Sequence, residues 1–152
     1  MSIWWSLHLR REAASVPLAR RLLLGTMETA GVDPDVSYDL SVALTEACAN
    51  AVEHGGGAGT GAPGGPQQGA YRVTAYLDGE TCRIEVADAG PGFPGAGVPG
   101  APSDDAEHGR GLRLIEELAD HVQFGNRSGR GGAVVSFDKI LKWRDSPSLL
   151  LA

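Results

Sequence analysis

The chain has 152 residues, 42% hydrophobic and 21% charged, a globular composition at the length of a single domain. Thirteen Lys and Arg against 19 Asp and Glu leave a net charge of −6, which argues against direct nucleic-acid binding through a basic face. Glycine supplies 22 residues, about twice the usual share of roughly 7%, but without a G-X-Y period, which excludes collagen.

Ile3, Trp5, Leu7 and Leu9 alternate with Trp4, Ser6, His8 and Arg10, the period of a first strand. With two tryptophans so near the terminus, that strand suits edge addition across a homodimer and packing onto its own sheet alike. Ser15 is placed to cap a first helix, with Pro17 in its first turn, Leu18, Leu22 and Met27 as its apolar stripe, and Gly31 at its close. Asp33-Pro34 opens a second helix, a capping residue followed by proline at the first helical position, running to about His54.

Residues 55–69, GGGAGTGAPGGPQQG, hold nothing able to build a core and read as a flexible surface loop. Residues 71–77 and 82–88 are alternating runs of strand formers, with Val73, Ala75 and Leu77 on one face and Cys82, Ile84 and Val86 pointing inward. Asp78-Gly79 between them is a hairpin signal. Residues 89–108 form a second Gly- and Pro-rich loop ending at His108. From about Gly109 the spacing predicts a helix with Leu112, Ile115, Leu118 and Ala119 on its inner face. Residues 122–126 and 133–139 read as a second hairpin joined by RSGRGG, and no firm pattern follows Trp143. The order β-α-α-β-β-α-β-β predicts an α+β two-layer sandwich, helices on one face of a mixed, mainly antiparallel sheet. One domain over residues 1–142 and a tail at 143–152 are expected.

Arg10-Arg11 and Arg20-Arg21 make the N-terminal part locally basic, either a solvated surface or a contact face for an acidic partner. Cys48 and Cys82 sit in apolar patterns with no CxxC and no metal-like cluster with His, as two free buried thiols in a reducing compartment would. In MSIWWSLHLRRE the charges follow the apolar run, the reverse of a signal peptide. No apolar stretch approaches the length of about 18 residues needed to span a membrane, so a cytoplasmic protein is expected.

Three short constellations carry chemistry. In Glu46-Ala47-Cys48-Ala49-Asn50-Ala51-Val52-Glu53-His54, a helix turning about 100° per residue puts Glu46 and Asn50 about 40° apart, with His54 continuing the line. They flank the apolar stripe of Leu40, Leu44, Ala47, Cys48 and Ala51, where a carboxylate and a carboxamide could serve a metal ion and a proton transfer together. In Val86-Ala87-Asp88-Ala89-Gly90-Pro91-Gly92-Phe93, an acid ends a strand and glycines follow that permit close backbone approach to a ligand. Asp88 there could accept a hydrogen bond from a base amino group. Gly109-Arg110-Gly111-Leu112 stands at a predicted helix start, where unobstructed N–H groups form an anion site. The dipole contributes typically 0.3–1 kcal/mol and up to about 2 kcal/mol, so Mg²⁺ and loop amides would share the charge of a triphosphate. Each constellation alone has a plain structural explanation as a surface pair, a turn or a helix start.

In their order and on these elements, the three resemble the boxes of the GHKL ATPase superfamily, with its Bergerat, histidine-kinase-like fold. E-A-C-A-N-A-V-E-H looks like the N box, D-A-G-P-G the DxGxG box, G-R-G-L the second glycine box, and residues 93–108 the ATP lid. Within that superfamily the short chain most resembles bacterial anti-sigma-factor serine-protein kinases. The resemblance implies ATP and Mg²⁺ as cofactors, Glu46 as general base on the attacking hydroxyl, and Asn50 as the Mg²⁺ ligand. It implies Asp88 as reader of the adenine amino group, with Gly90 and Gly92 shaping the pocket. Gly109, Arg110, Gly111 and Leu112 would wrap the phosphates, with His54 near them. The partners it implies are a sigma factor and a STAS-type anti-sigma-factor antagonist phosphorylated on Ser or Thr. A nucleotide-responsive partner-binding module with little phosphotransfer is the alternative. It draws on one departure, Gly132-Ala133 where the family usually carries Gly-Thr, and on the long 55–69 loop.

Overall fold

The computed structural model describes residues 2–54, 69–88, 106–126 and 132–144. Eight elements follow one another: β1 (Ile3–Arg10), α1 (Ser15–Ala30), α2 (Pro34–His54), β2 (Ala70–Leu77), β3 (Thr81–Asp88), α3 (Ala106–Leu118), β4 (His121–Asn126) and β5 (Ala133–Ile140). The strands form one sheet in the order β1-β2-β3-β5-β4. The expected two-layer α+β sandwich is present, but among the described residues the sheet is not mixed: every neighbouring pair is antiparallel. Hairpins join β2 to β3 and β4 to β5, and β1 and β4 lie at the two edges.

The core lies between sheet and helices. Val73, Ala75, Leu77, Cys82, Ile84 and Val86 all point into it, as their alternation predicts, against Leu40, Leu44, Ala47, Cys48 and Ala51 of α2 and Ile115 of α3. Leu112, Leu118 and Ala119 pack on its margin. Both cysteines are free and buried, and burial pushes each thiol up to about 12. β1 pairs with β2 along all eight of its residues and sends Leu9 into the core, so it packs onto its own sheet, while Trp4 stays 63% exposed.

α1 turns Met27 inward as expected, but Leu18 and Leu22 of the expected stripe miss the core by one position. Its inward row is Ser15, Ala19, Leu23 and Met27, at strict i, i+4 spacing, while Leu18 and Leu22 are 53% and 39% exposed. A helical residue is rotated about 100° from its neighbour, so a row one position early looks away from the core. Leu18 and Leu22 instead border, with Ile3, a surface groove of about 640 Å³. Ser15 does not cap the helix, because Ala14 holds that position in a helical conformation without a side-chain bond. Gly31 closes it as expected: at φ +86° its N–H reaches the Glu28 carbonyl while Val32 N–H reaches that of Met27, a Schellman turn.

Asp33 and Pro34 open α2 as read, with Asp33 Oδ1 accepting the Asp35 N–H at 2.8 Å. The β2–β3 hairpin forms, though not through a left-handed glycine, since Gly79 has no positive φ. The Asp78 carboxylate builds the turn instead, accepting the N–H groups of Glu80 and Thr81 at 2.7 Å each, and these bonds hold its pKa below the usual carboxylate value. α3 begins at Ala106, three residues before the expected Gly109. After β5 the chain returns to the α1–α2 joint, where Val32 bridges Trp143 and the Gly31 carbonyl accepts the Arg144 N–H at 2.7 Å. Among the described residues no helix is long and apolar enough to cross a membrane.

Candidate functional site

The second half of α2 supplies the first part of the site. Glu46 and Asn50 are half-buried, one turn apart, because they flank the fully buried Ala47, Cys48 and Ala51. That position limits their solvation without removing water access, which suits groups that meet a charged ligand. His54 is the last residue of α2 and more exposed, with Nε2 3.6 Å from Glu53 Oε2. The Glu53 carbonyl beside it accepts Arg11 Nη2 at 3.4 Å, tying the end of β1 to the end of α2.

α3 supplies the second part. Its N-terminal half packs against α2 so closely that a Cβ on Gly111 would lie 3.2 Å from Glu46 Oε2. Leu112 is half-buried against the core and fixes that turn of the helix. Gly109 and Arg110 lie in the same helix. With its start at Ala106, the amides of residues 109–111 fall within the i→i−4 ladder, and the N–H groups that have no partner within the helix fall at residues 106–108. Gly90, Gly92, the lid up to residue 105 and the loop at 55–68 lie outside the described residues.

The third part is Asp88, the last residue of β3 and only 6% exposed. Its Oδ1 accepts the backbone N–H of Ala133 at 3.1 Å, across from β5. The residue before Ala133, Gly132, has φ +99°, a conformation open to glycine. Where a threonine hydroxyl is missing, the peptide itself therefore holds the carboxylate. Sequence reasoning singled out Gly132-Ala133 as a departure and did not foresee this bond, because a backbone donor leaves no trace in residue type.

Tyr71 is a second feature that sequence reasoning passed over. It pairs directly opposite Asp88 and is buried on the same inward face. Its place in the alternating row with Val73 was a usable signal, since a buried tyrosine needs a partner for its hydroxyl.

The donor set fits a nucleotide with a hard cation better than a resident metal centre. Among the described residues, no three His, Cys, Asp or Glu side chains gather as a metal cage. Mg²⁺ needs only one or two protein oxygens when phosphates and waters fill its remaining positions, and Glu46 and Asn50 offer such oxygens. A carboxylate beside a carboxamide can accept a proton next to a bound cation, and the buried Asp88 carboxylate can accept an amino N–H.

Residues 9–139 match the family described as the histidine kinase-like ATPase domain. The serine-protein kinase RsbW of Bacillus velezensis is 31% identical over 127 residues, covering 78% of this chain and 75% of that protein. The protein of the same name from Bacillus subtilis is 31% identical over 123 residues, covering 75% and 72%. The crystal structure of the RsbU and RsbW domains of Rv1364c from Mycobacterium tuberculosis superimposes with a TM-score of 0.63 at 21% identity, a likeness of fold. That match takes in 92% of this chain and spans 34% of the other. The family match extends from the end of β1 nearly to the end of β5, through the whole stretch that carries Glu46, Asn50 and Asp88, and the chain belongs to the histidine kinase-like ATPase domain family.

Proposed function

We propose that this protein is an ATP- and Mg²⁺-dependent serine/threonine protein kinase that phosphorylates a STAS-type anti-sigma-factor antagonist and sequesters a sigma factor. The observation that carries the reading is the placing of Glu46 and Asn50 one turn apart at the core's edge, with Glu46 Oε2 against Gly111. The kinase names of the Bacillus relatives support the reaction type.

In this reading Asp88 accepts the adenine amino group, and its bond to Ala133 N–H keeps its carboxylate turned to one orientation. Asn50 lends its carboxamide oxygen to Mg²⁺, and Gly90 and Gly92 shape the base pocket. Gly109, Arg110, Gly111, Leu112 and His54 border the phosphates. ATP with Mg²⁺ supplies an activated phosphoryl group with part of its charge neutralised. Glu46 takes the proton of the incoming serine or threonine hydroxyl, a contribution of roughly 10²–10⁴-fold in rate. The single domain proposed for residues 1–142 would hold this site, with self-association across the outer edge of β1 as a further contact. A cytoplasmic location goes with these partners. The binding-only alternative drew on the missing threonine, and the Ala133 N–H bond to Asp88 weakens that ground.

The test is phosphate transfer from labelled ATP to candidate antagonists, repeated with Glu46→Ala. Labelling by the unaltered protein that falls by roughly 10²-fold or more in the variant supports the assignment. Full labelling by Glu46→Ala removes the base from Glu46.

A further inference from the structure

On the side of α1 and α2 away from the sheet lies a groove that the nucleotide reading does not use. It has a volume of about 730 Å³ and follows both helices from the joint between them to Arg20 and Thr45. Leu24, Val32, Pro34, Tyr38 and Val42 give it an apolar surface. Two of these are left open to water, Leu24 at 37% and Tyr38 at 66% exposure. Its charged groups are Arg20, Glu28 and Arg144, one positive charge in excess.

Arg144 is also the last described residue of the chain, and its place is fixed. Its backbone N–H donates to the Gly31 carbonyl at 2.7 Å and its Nη2 to the Glu28 carbonyl at 3.0 Å. The bridge between Val32 and Trp143 holds the residue before it. The chain is thus delivered to the joint end of the groove.

Residues 145–152 follow, outside the described residues, with the sequence Asp-Ser-Pro-Ser-Leu-Leu-Leu-Ala. Three consecutive leucines are unfavourable in water. Pro147 biases the residue before it towards extended backbone, the form that lies along a groove. From Pro34 to Thr45 the groove follows α2 for about 16 Å, at 1.5 Å per residue. The five residues from Arg144 to Leu149 span about 17 Å when extended, so the leucines can reach its whole length. Asp145 is the one charged side chain of the segment, and its sign suits the excess of arginine. Attachment at Arg144 holds the segment near the groove at an effective concentration in the mM range, so modest apolar burial is enough to dock it.

We propose that Leu149, Leu150 and Leu151 dock in the α1–α2 groove of their own chain and cover Leu24 and Tyr38. The inference does not depend on the nucleotide reading.

The test attaches a nitroxide to the full chain through Ser148→Cys, since Cys48 and Cys82 are buried and spared by the label. Amide NMR signals are compared with the label oxidised and reduced. Broadening centred on Leu24, Tyr38 and Val42 is expected. Burying one leucine shifts a docked-to-free ratio by roughly tenfold or more, so changing Leu149, Leu150 and Leu151 to serine should abolish the broadening. Tyr38→Ser, at an exposed position, should weaken it from the groove side while the fold holds. Broadening that is absent, evenly spread, centred elsewhere or unchanged in either variant overturns the inference. A mixture in which one population carries the nitroxide and the other the isotope should show none. Equal broadening in that mixture means that a second copy supplies the leucines, which overturns docking within one chain.

Discussion

Glu46 Oε2 on α2 lies so close to Gly111 on α3 that a Cβ added to Gly111 would stand 3.2 Å from it. The neighbour is the tip of a flexible side chain, so it can give by a few tenths of an ångström and the fold can accept the change. Gly111→Ala also replaces a helical glycine, which typically favours the helix by about 0.5–1 kcal/mol. The expected outcome is therefore an unfolding temperature that holds or rises while phosphate transfer falls. A misplacement of about 1 Å can cost roughly 100-fold, so a shift of a few tenths is expected to cost severalfold. Thermal unfolding beside a transfer assay reads both. A variant as active as the unaltered protein separates Gly111 from the placing of Glu46.

Asn50 makes a different expectation, because its proposed partner is the cation and not the base. Asn50→Ala removes a half-buried carboxamide without touching the apolar row behind it. The stability change is expected to stay within about 1 kcal/mol. Nucleotide affinity measured with and without Mg²⁺ is the informative quantity. In the unaltered protein the cation should tighten ATP binding, and in Asn50→Ala most of that gain should vanish while affinity without Mg²⁺ holds. A Mg²⁺ effect of the same size in both proteins assigns the ion to other ligands.

The parts of this molecule that were legible in the sequence are those in which residue type and position say the same thing. Gly31 ends a helix because only glycine takes its φ cheaply, and Asp33-Pro34 begins one. The alternation through Val73, Ala75 and Leu77 marks a face, and the order of the three boxes places Glu46, Asn50 and Asp88 on the elements where they are found. What was not legible depends on distance of approach. α1 buries Ala19 and leaves Leu18 exposed where hydrophobicity alone favours Leu18, because the row that faces the core is set by how the helix docks. Ser15 reads as a cap from its type and its neighbours, yet its hydroxyl faces Tyr71, a residue 56 positions away. Asp78-Gly79 signals a hairpin correctly while hiding that the acid does the turning. The Ala133 amide is invisible to any reading by side chain.

The two buried thiols make an expectation about pH. Burial raises Cys48 and Cys82 from an ordinary value of 9.0 to about 12. Between those values the unfolded chain loses thiol protons that the folded chain keeps, so stability falls as pH rises above about 9 and is unaffected by these groups below it. The loss is on the order of 1 kcal/mol per thiol by pH 10. Denaturant midpoints followed from pH 7 to pH 10.5 should therefore slope down beyond pH 9, and Cys82→Ala should flatten the slope at some cost in overall stability. At neutral pH both thiols should resist a thiol reagent until the protein unfolds.

Ala133 offers the sharpest test of the adenine contact proposed for Asp88. Asp88 already has the Ala133 N–H at 3.1 Å, so restoring the family's threonine adds a second donor to a carboxylate that is already held. One extra hydrogen bond contributes about 0.5–1.5 kcal/mol, which predicts tighter ATP binding by up to roughly tenfold in Ala133→Thr. Gly132→Ala should act in the opposite direction. Its φ of +99° strains any residue with a Cβ, and relieving that strain turns the following peptide away from Asp88. A fall in stability of about 1–2 kcal/mol is expected together with weaker adenine binding. Calorimetry with a non-hydrolysable ATP analogue and thermal unfolding separate the two effects. If Ala133→Thr tightens binding while Gly132→Ala weakens it, the orientation of the Asp88 carboxylate controls adenine affinity. If Gly132→Ala lowers stability and leaves affinity unchanged, the Ala133 amide is holding a strand end and not a ligand site.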